Sequence, residues 1–286
     1  MGKQKKSKVT ISEILDKKKN KEKITMLTSY DYSMSHICND ADLDIVLIGD
    51  SAATVMLGYD TTRKICMEER LTFCKGVANG ITRPLIVADM PFGSYQTGIS
   101  NSVRNAIKFL RCGCDGVKLE GGWEIVDIIK NLTGLGIPVM GHIGLKPQTT
   151  PLYHGYGLQG KTAEDAVMLI REARALEEAG VFSIVLEKVT TEVSSVITQI
   201  VKVPIIGIGS GPHVDGQVLV IHDMLGLFQD MEPKFVKRYL NMADQIFDAI
   251  KQYENEVKSG KFPKEEHTYH MTEEEYAKLE KMLKRV

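Results

Sequence analysis

Carboxylates close four short apolar runs in this 286-residue chain: Ile45-Val46-Leu47-Ile48-Gly49-Asp50, Leu85-Ile86-Val87-Ala88-Asp89, Gly116-Val117-Lys118-Leu119-Glu120 and Ser183-Ile184-Val185-Leu186-Glu187. Brief β-branched runs of this kind read as buried parallel strands. An acid at the exit of such a strand stands on the carboxyl edge of the sheet, where α/β folds place their sites. Asp50 and Asp89, at the ends of consecutive strands, can reach a common point, and a hard cation with oxygen ligands suits them. Mg²⁺ would keep several waters there or take up substrate oxygens.

Lys118 and Glu120 are two apart, so on a strand they face the same way. Burying both is costly unless they pair or bind something. His142, in Gly141-His142-Ile143-Gly144, follows a further strand onto the same rim. Glu187 ends strand six and lies across the ring from the early strands, where a base would work on a metal-bound substrate. Ile206-Gly207-Ile208-Gly209-Ser210-Gly211-Pro212 has a G-x-G-x-G pattern. Coming late and without a clean helix after it, this segment is not a dinucleotide fingerprint.

These groups need a scaffold of alternating strands and helices. Strands are expected at 24–28, 45–49, 85–88, 116–119, 138–141, 183–186, 204–208 and 218–221. Helices fall at 32–40, 67–79, 103–111, 123–131, 162–179 and 192–201, with a long loop over 50–65 and a closing helix over 232–254. Thr162 suits an N-cap and Gly180 a C-terminal stop. Eight strands so arranged predict a single (β/α)₈ TIM barrel, an α/β fold, over 24–271. A Lys-rich leader (1–23) precedes it. An amphipathic helical tail (272–286) follows, its Tyr276, Leu279 and Leu283 expected to pack on the barrel or on a neighbouring subunit.

A net charge of −1 argues against a nucleic-acid protein as a whole. The leader carries nine Lys against Glu13, Asp16 and Glu22, hence +6, which leaves −7 for the remainder. It reads as a solvated segment with a short helix near Ile11–Lys19, a basic arm for RNA or anionic lipid being the alternative. It lacks a signal peptide's apolar core, and no run approaches the roughly 18 to 20 apolar residues of a membrane span, so the cytoplasm is the expected location and no membrane partner is implied. Five cysteines with no export signal read as free thiols.

Taken together, the motifs resemble those of the ketopantoate hydroxymethyltransferase (3-methyl-2-oxobutanoate hydroxymethyltransferase) family from about Val9 to His267. The matching pieces are Thr25–Asp31, Gly49-Asp50-Ser51, Leu57–Thr62, Val87–Tyr95, Val117–Gly122, Gly141–Leu145, Gly209–Gly211 and Asp215–Val220. The resemblance implies a barrel of the phosphoenolpyruvate mutase/isocitrate lyase type, Mg²⁺, 5,10-methylenetetrahydrofolate as co-substrate and a homodecamer. It implies Asp50, Asp89 and Glu120 as metal ligands, and Asp50, Ser51, Asp89 and Lys118 as the 2-oxo acid site. Glu187 matches the proton acceptor, with Lys118 and His142 assisting. Two departures stand out. The family's usual Gly-Ala-Gly is Gly209-Ser210-Gly211 here, and in His154–Gly160 a basic residue is common where Gly157 stands. A superfamily C–C lyase working without folate is the rival reading, and a degenerate barrel kept as a binding module is a non-enzymatic one.

Overall fold

The protein was analysed as a computed structural model, which describes residues 7–149 and 157–285. The elements in chain order are α1 (Ile11–Lys19), β1 (Ile24–Thr28), α2 (Tyr32–Asp40), β2 (Ile45–Ile48), α3 (Ala52–Val55), α4 (Met67–Gly80), β3 (Leu85–Asp89), α5 (Ile99–Arg111), β4 (Gly116–Glu120), α6 (Val126–Gly134), β5 (Val139–Gly144), α7 (Ala163–Glu178), β6 (Ser183–Glu187), α8 (Thr191–Ile200), β7 (Ile205–Ile208), β8 (Gly216–Leu219), α9 (Ile221–Met224), α10 (Met242–Lys258) and α11 (Glu273–Leu283). All eight strands run parallel in sequence order, and β8 pairs back onto β1 to close the barrel.

Strand alternation sorts the side chains into two layers. Val46, Ile48, Ile86, Ala88, Val117, Leu119, Ile143, Ile184 and Leu186 face outward into a core shared with the helices. Met26, Ile45, Leu47, Leu85, Val87, Met140, Val185, Ile206 and Val218 fill the barrel itself. The inward series continues up each strand, so the next inward positions are Asp89, Lys118, Glu120, His142 and Glu187. An apolar lower barrel thus hands over to a polar upper end within two residues.

Over its described residues, 7–23, the lysine-rich leader is not a solvated arm. Val9 and Ile14 are buried among the lower barrel residues, closing its amino-terminal end. Thr10 caps α1 reciprocally with Glu13. Asp44, Asp115 and Asp215 each stand just before an even-numbered strand and accept the backbone N–H of Thr25, Ile86 and Ile205 on the strand before. Lys17, Lys8 and Lys18 pair with these three aspartates at 2.9, 2.7 and 2.8 Å. Three of the leader's nine lysines are thus matched by acids at the barrel floor. Chain separation hides that match.

Several boundaries move; α5 begins four residues earlier than expected and α6 ends three residues later. The expected closing helix over 232–254 begins only at Met242: Val236 donates its N–H to the Pro233 carbonyl in a turn, and Tyr239 donates its N–H to the Met224 carbonyl, so these groups are held outside a helix. Strand β8 lies two residues earlier than expected, and Ile221 opens α9. The loop after Asp50 contains α3 and a turn of 3₁₀-helix at Thr62–Lys64.

Two compact units are present, Met1–Tyr239 and Leu240–Val286. The second holds α10 and α11. In α11, Tyr276, Leu279 and Leu283 are exposed. The five cysteines are free, and Cys38, Cys74 and Cys114 are buried. Among the described residues no helix is long and apolar enough to cross a membrane.

Candidate active site

Register assembles the upper end of the barrel. Asp89 lies beside Lys118 in the β3–β4 pair, Glu120 beside His142 in β4–β5, and Glu187 beside Gly144 in β5–β6. The Lys118 ammonium, 4 % exposed, sits 2.8 Å from Asp89 Oδ1 and 3.2 Å from His142 Nδ1. Asp89 Oδ2 accepts the backbone N–H of Asp50 at 2.8 Å, tying the second carboxylate to the first. His142 spans the remaining gap, with Nδ1 at 3.4 Å from Glu120 Oε1 and Nε2 at 3.3 Å from Glu187 Oε2. Asp50, Asp89, Lys118, Glu120, His142 and Glu187, all expected from the sequence, therefore form one connected group.

Three carboxylates around one ammonium leave excess negative charge in a buried space. Burial pushes the Asp50 carboxyl up to about 7, and Glu120 and Asp89 add to the rise against the pull of Lys118 and Arg70. Glu120 also rises to about 7, chiefly through burial. Burial by itself would lower Lys118, but Asp89, Glu120 and Asp50 outweigh it and hold the ammonium charged. His142 is lowered by burial and by Lys118, so its ring is neutral at neutral pH. With Lys118 donating to Nδ1, the remaining proton sits on Nε2, toward Glu187. Glu187 is raised above the ordinary carboxylate range by burial, and His142 opposes the rise.

Asp50 Oδ2 and Glu120 Oε1 are buried with no hydrogen-bond partner. An anionic oxygen left without a donor in a protein interior is costly. A divalent cation would both satisfy the two oxygens and cancel the excess charge. Among the described residues no three His, Cys, Asp or Glu side chains form a complete metal cage. A hard ion that retains water or takes up substrate oxygens needs only one or two carboxylates, so this donor set fits it.

Several residues of the site carry no chemical signal in the sequence. Gln148 donates its backbone N–H to Glu120 Oε2 at 3.0 Å and its amide to the Met90 carbonyl at 3.2 Å. Tyr95 donates to the Glu120 carbonyl at 2.9 Å. Ser51, expected at the site, shares a 2.7 Å hydrogen bond with the buried Tyr30 hydroxyl. Arg70 of α4 is fully buried and donates to the Ile48 and Gly49 carbonyls just before Asp50. A helical Arg ordinarily reads as surface, and only its place behind β2 gives it this role. The expected departure around His154–Tyr156 lies outside the described residues. Gly157 accepts from the Gln159 amide at 2.9 Å.

The fold is shared with solved structures of low sequence identity. A phosphonopyruvate hydrolase complexed with oxalate and Mg²⁺ superposes with a TM-score of 0.59 at 11 % identity, covering 96 % of each chain. A 2,3-dimethylmalate lyase, a member of the PEP mutase/isocitrate lyase superfamily, gives 0.54 at 14 % over 96 % of both. The barrel is of that superfamily's type. Sequence relatives are far nearer. The 3-methyl-2-oxobutanoate hydroxymethyltransferase of Nitrosopumilus maritimus is 45 % identical over 96 % of this chain and 98 % of its own. That of Syntrophomonas wolfei is 48 % identical over 94 % and 98 %, and that of a Thermotoga species 49 % over 90 % and 95 %. The family model for ketopantoate hydroxymethyltransferase matches residues 8–265, from the plug at the barrel floor into the second unit. The chain belongs to the ketopantoate hydroxymethyltransferase family.

Proposed function

We propose that this hydroxymethyltransferase carries one carbon from 5,10-methylenetetrahydrofolate to C3 of 3-methyl-2-oxobutanoate, giving 2-dehydropantoate for pantothenate synthesis. The observation that carries the mechanism is Glu187: a half-buried carboxylate of raised pKa, facing a neutral histidine, beside the acid-rich group around Lys118.

Asp50, Asp89 and Glu120 are the residues that would hold Mg²⁺, and the orphaned oxygens of Asp50 and Glu120 favour them. When bound, Mg²⁺ supplies Lewis-acid stabilisation of negative charge on the 2-oxo acid. Asp50, Ser51, Asp89 and Lys118 line the place for that substrate. Lys118, locked by Asp89, adds a fixed positive charge where charge develops as C3 loses its proton. Glu187 takes that proton, and a raised pKa makes it a better base near neutral pH. A positioned base of this kind is worth about 10²–10⁴-fold. His142, its Nε2–H toward Glu187, orients the carboxylate and steadies its charge. Water and 5,10-methylenetetrahydrofolate together supply the carbon at the formaldehyde level, both methylene C–N bonds breaking as tetrahydrofolate leaves. The deprotonated C3 bonds to that carbon, and its oxygen takes up the proton to become the hydroxyl. The same reading places the enzyme in the cytoplasm as a homodecamer, in keeping with the family, and the exposed apolar residues of α11 are consistent with subunit contacts.

The test is a half-reaction that needs no folate. Glu187→Gln preserves size and hydrogen bonding but cannot accept a proton. NMR should show it binding 3-methyl-2-oxobutanoate with Mg²⁺ yet failing to exchange the C3 hydrogen for deuterium. Exchange at the wild-type rate would move the base elsewhere, and His142 would be next. Product formation that ignores methylenetetrahydrofolate would reject the one-carbon donor.

A further inference from the structure

The Gly209-Ser210-Gly211 segment takes no part in the chemistry above, yet its serine is fully buried and aimed at the loop that carries Glu187. Ser210 Oγ donates to the Leu186 carbonyl at 2.7 Å and accepts the Val189 N–H at 3.2 Å. Those two groups bracket Glu187 and Lys188. Between them, Lys188 has a φ of 49°, in the left-handed region that residues bearing a Cβ seldom adopt. The backbone on either side is also held: Lys188 N–H donates to the Ile208 carbonyl at 2.9 Å, Gln159 N–H to the Lys188 carbonyl at 2.8 Å, and Leu145 N–H to the Glu187 carbonyl at 2.8 Å.

The flanking glycines make this reach possible. Gly209 and Gly211 have φ of 65° and 80°, and a Cβ on either would run into the Phe235 ring or the Thr191 side chain. The turn they form is tight enough to drive the Ser210 hydroxyl under β6. An alanine at this position would keep the turn and lose the bridge.

We infer that Ser210 is a positioning residue for the C3 proton transfer to Glu187: its hydroxyl latches Leu186 to Val189 and so fixes the direction in which the Glu187 carboxylate leaves β6. The latch rests on the reading of Glu187 as the base. It acts on the direction of the carboxylate and not on the pocket formed by Asp50, Ser51, Asp89 and Lys118, so it affects the proton-transfer step and leaves substrate affinity alone.

Ser210→Ala removes one oxygen and leaves the turn intact. At saturating 3-methyl-2-oxobutanoate and Mg²⁺, its C3 hydrogen–deuterium exchange should fall several-fold, toward the roughly hundredfold cost of a misplacement of about 1 Å. The dissociation constant for the oxo acid, measured by calorimetry, and the circular dichroism should match wild type. Exchange at the wild-type rate overturns the latch. So does a fall accounted for by weaker binding or lost folded protein, since that would mark Ser210 as merely structural. Glu187→Gln, run in parallel, separates the two readings: if it abolishes exchange while Ser210→Ala exchanges at the wild-type rate, the latch alone fails, and if it leaves exchange intact, the base assignment fails and the latch with it.

Discussion

His142 Nε2 approaches Glu187 Oε2 to 3.3 Å across the β5–β6 pair, without the alignment of a hydrogen bond. Both atoms therefore retain capacity toward a bound substrate, while the proximity of the ring keeps Glu187 from rising as far as its burial would drive it. Sequence alternation puts both side chains inside the barrel, and register puts them side by side.

That relationship has a pH signature. The base works deprotonated, so activity is lost as pH falls through the Glu187 pKa, which lies above the ordinary carboxylate value of about 4.3. His142→Phe removes the group that opposes the rise. The acidic limb of the C3 exchange profile should shift to higher pH in this variant. A limb that stays in place or moves down would contradict the role given to His142.

Asp50 illustrates stability given up for chemistry. Its folded-state pKa of about 7 exceeds the ordinary value of about 3.9, so the charged form is penalised in the native state. The cost is fully present above pH 7 and fades as pH falls from about 7 toward about 4. In metal-free enzyme, Asp50→Asn should raise Tm by at least ~2 °C at pH 8 and by less at pH 5, and with Mg²⁺ supplied it should abolish turnover. Calorimetric scans at the two pH values check both the sign and its decline.

Lys118 is the opposite case, since it is the cation closest to three buried acids. Lys118→Met should lower stability by roughly 3–5 kcal/mol, the usual cost of leaving a buried charge without its partner. Adding Asp89→Asn should restore part of that loss, because the acid left unpaired is then neutral. A double-mutant cycle by urea denaturation measures the coupling, and strict additivity would show that the 2.8 Å pair contributes nothing.

At the other end of the barrel, Ile14 is wholly buried. Ile14→Ala should cost roughly 2–5 kcal/mol by denaturant unfolding, with kcat and KM unchanged for the protein that remains folded. An unchanged midpoint would return the leader to the solvated state that its composition suggests.

Local pattern by itself determined much of this protein. Short apolar runs bearing β-branched residues, alternating with helix-like stretches, read as buried strands, a period of two sends alternate side chains inward, and a carboxylate at the end of such a run stands at the rim. Asp50, Asp89, Lys118, Glu120 and Glu187 were legible for that reason, and so was the closed eight-stranded order. Tertiary structure alone decided whatever depends on partners distant in the chain. Lys8, Lys17 and Lys18 read as solvated until Asp115, Asp44 and Asp215 meet them. Arg70 and Gln148 have no local pattern that distinguishes them from surface residues. Ser210 reads as a spacer between two glycines, and only the folded turn brings its hydroxyl to Leu186 and Val189. Periodicity records which way a side chain points, whereas the partner it meets there is set by register and closure of the barrel.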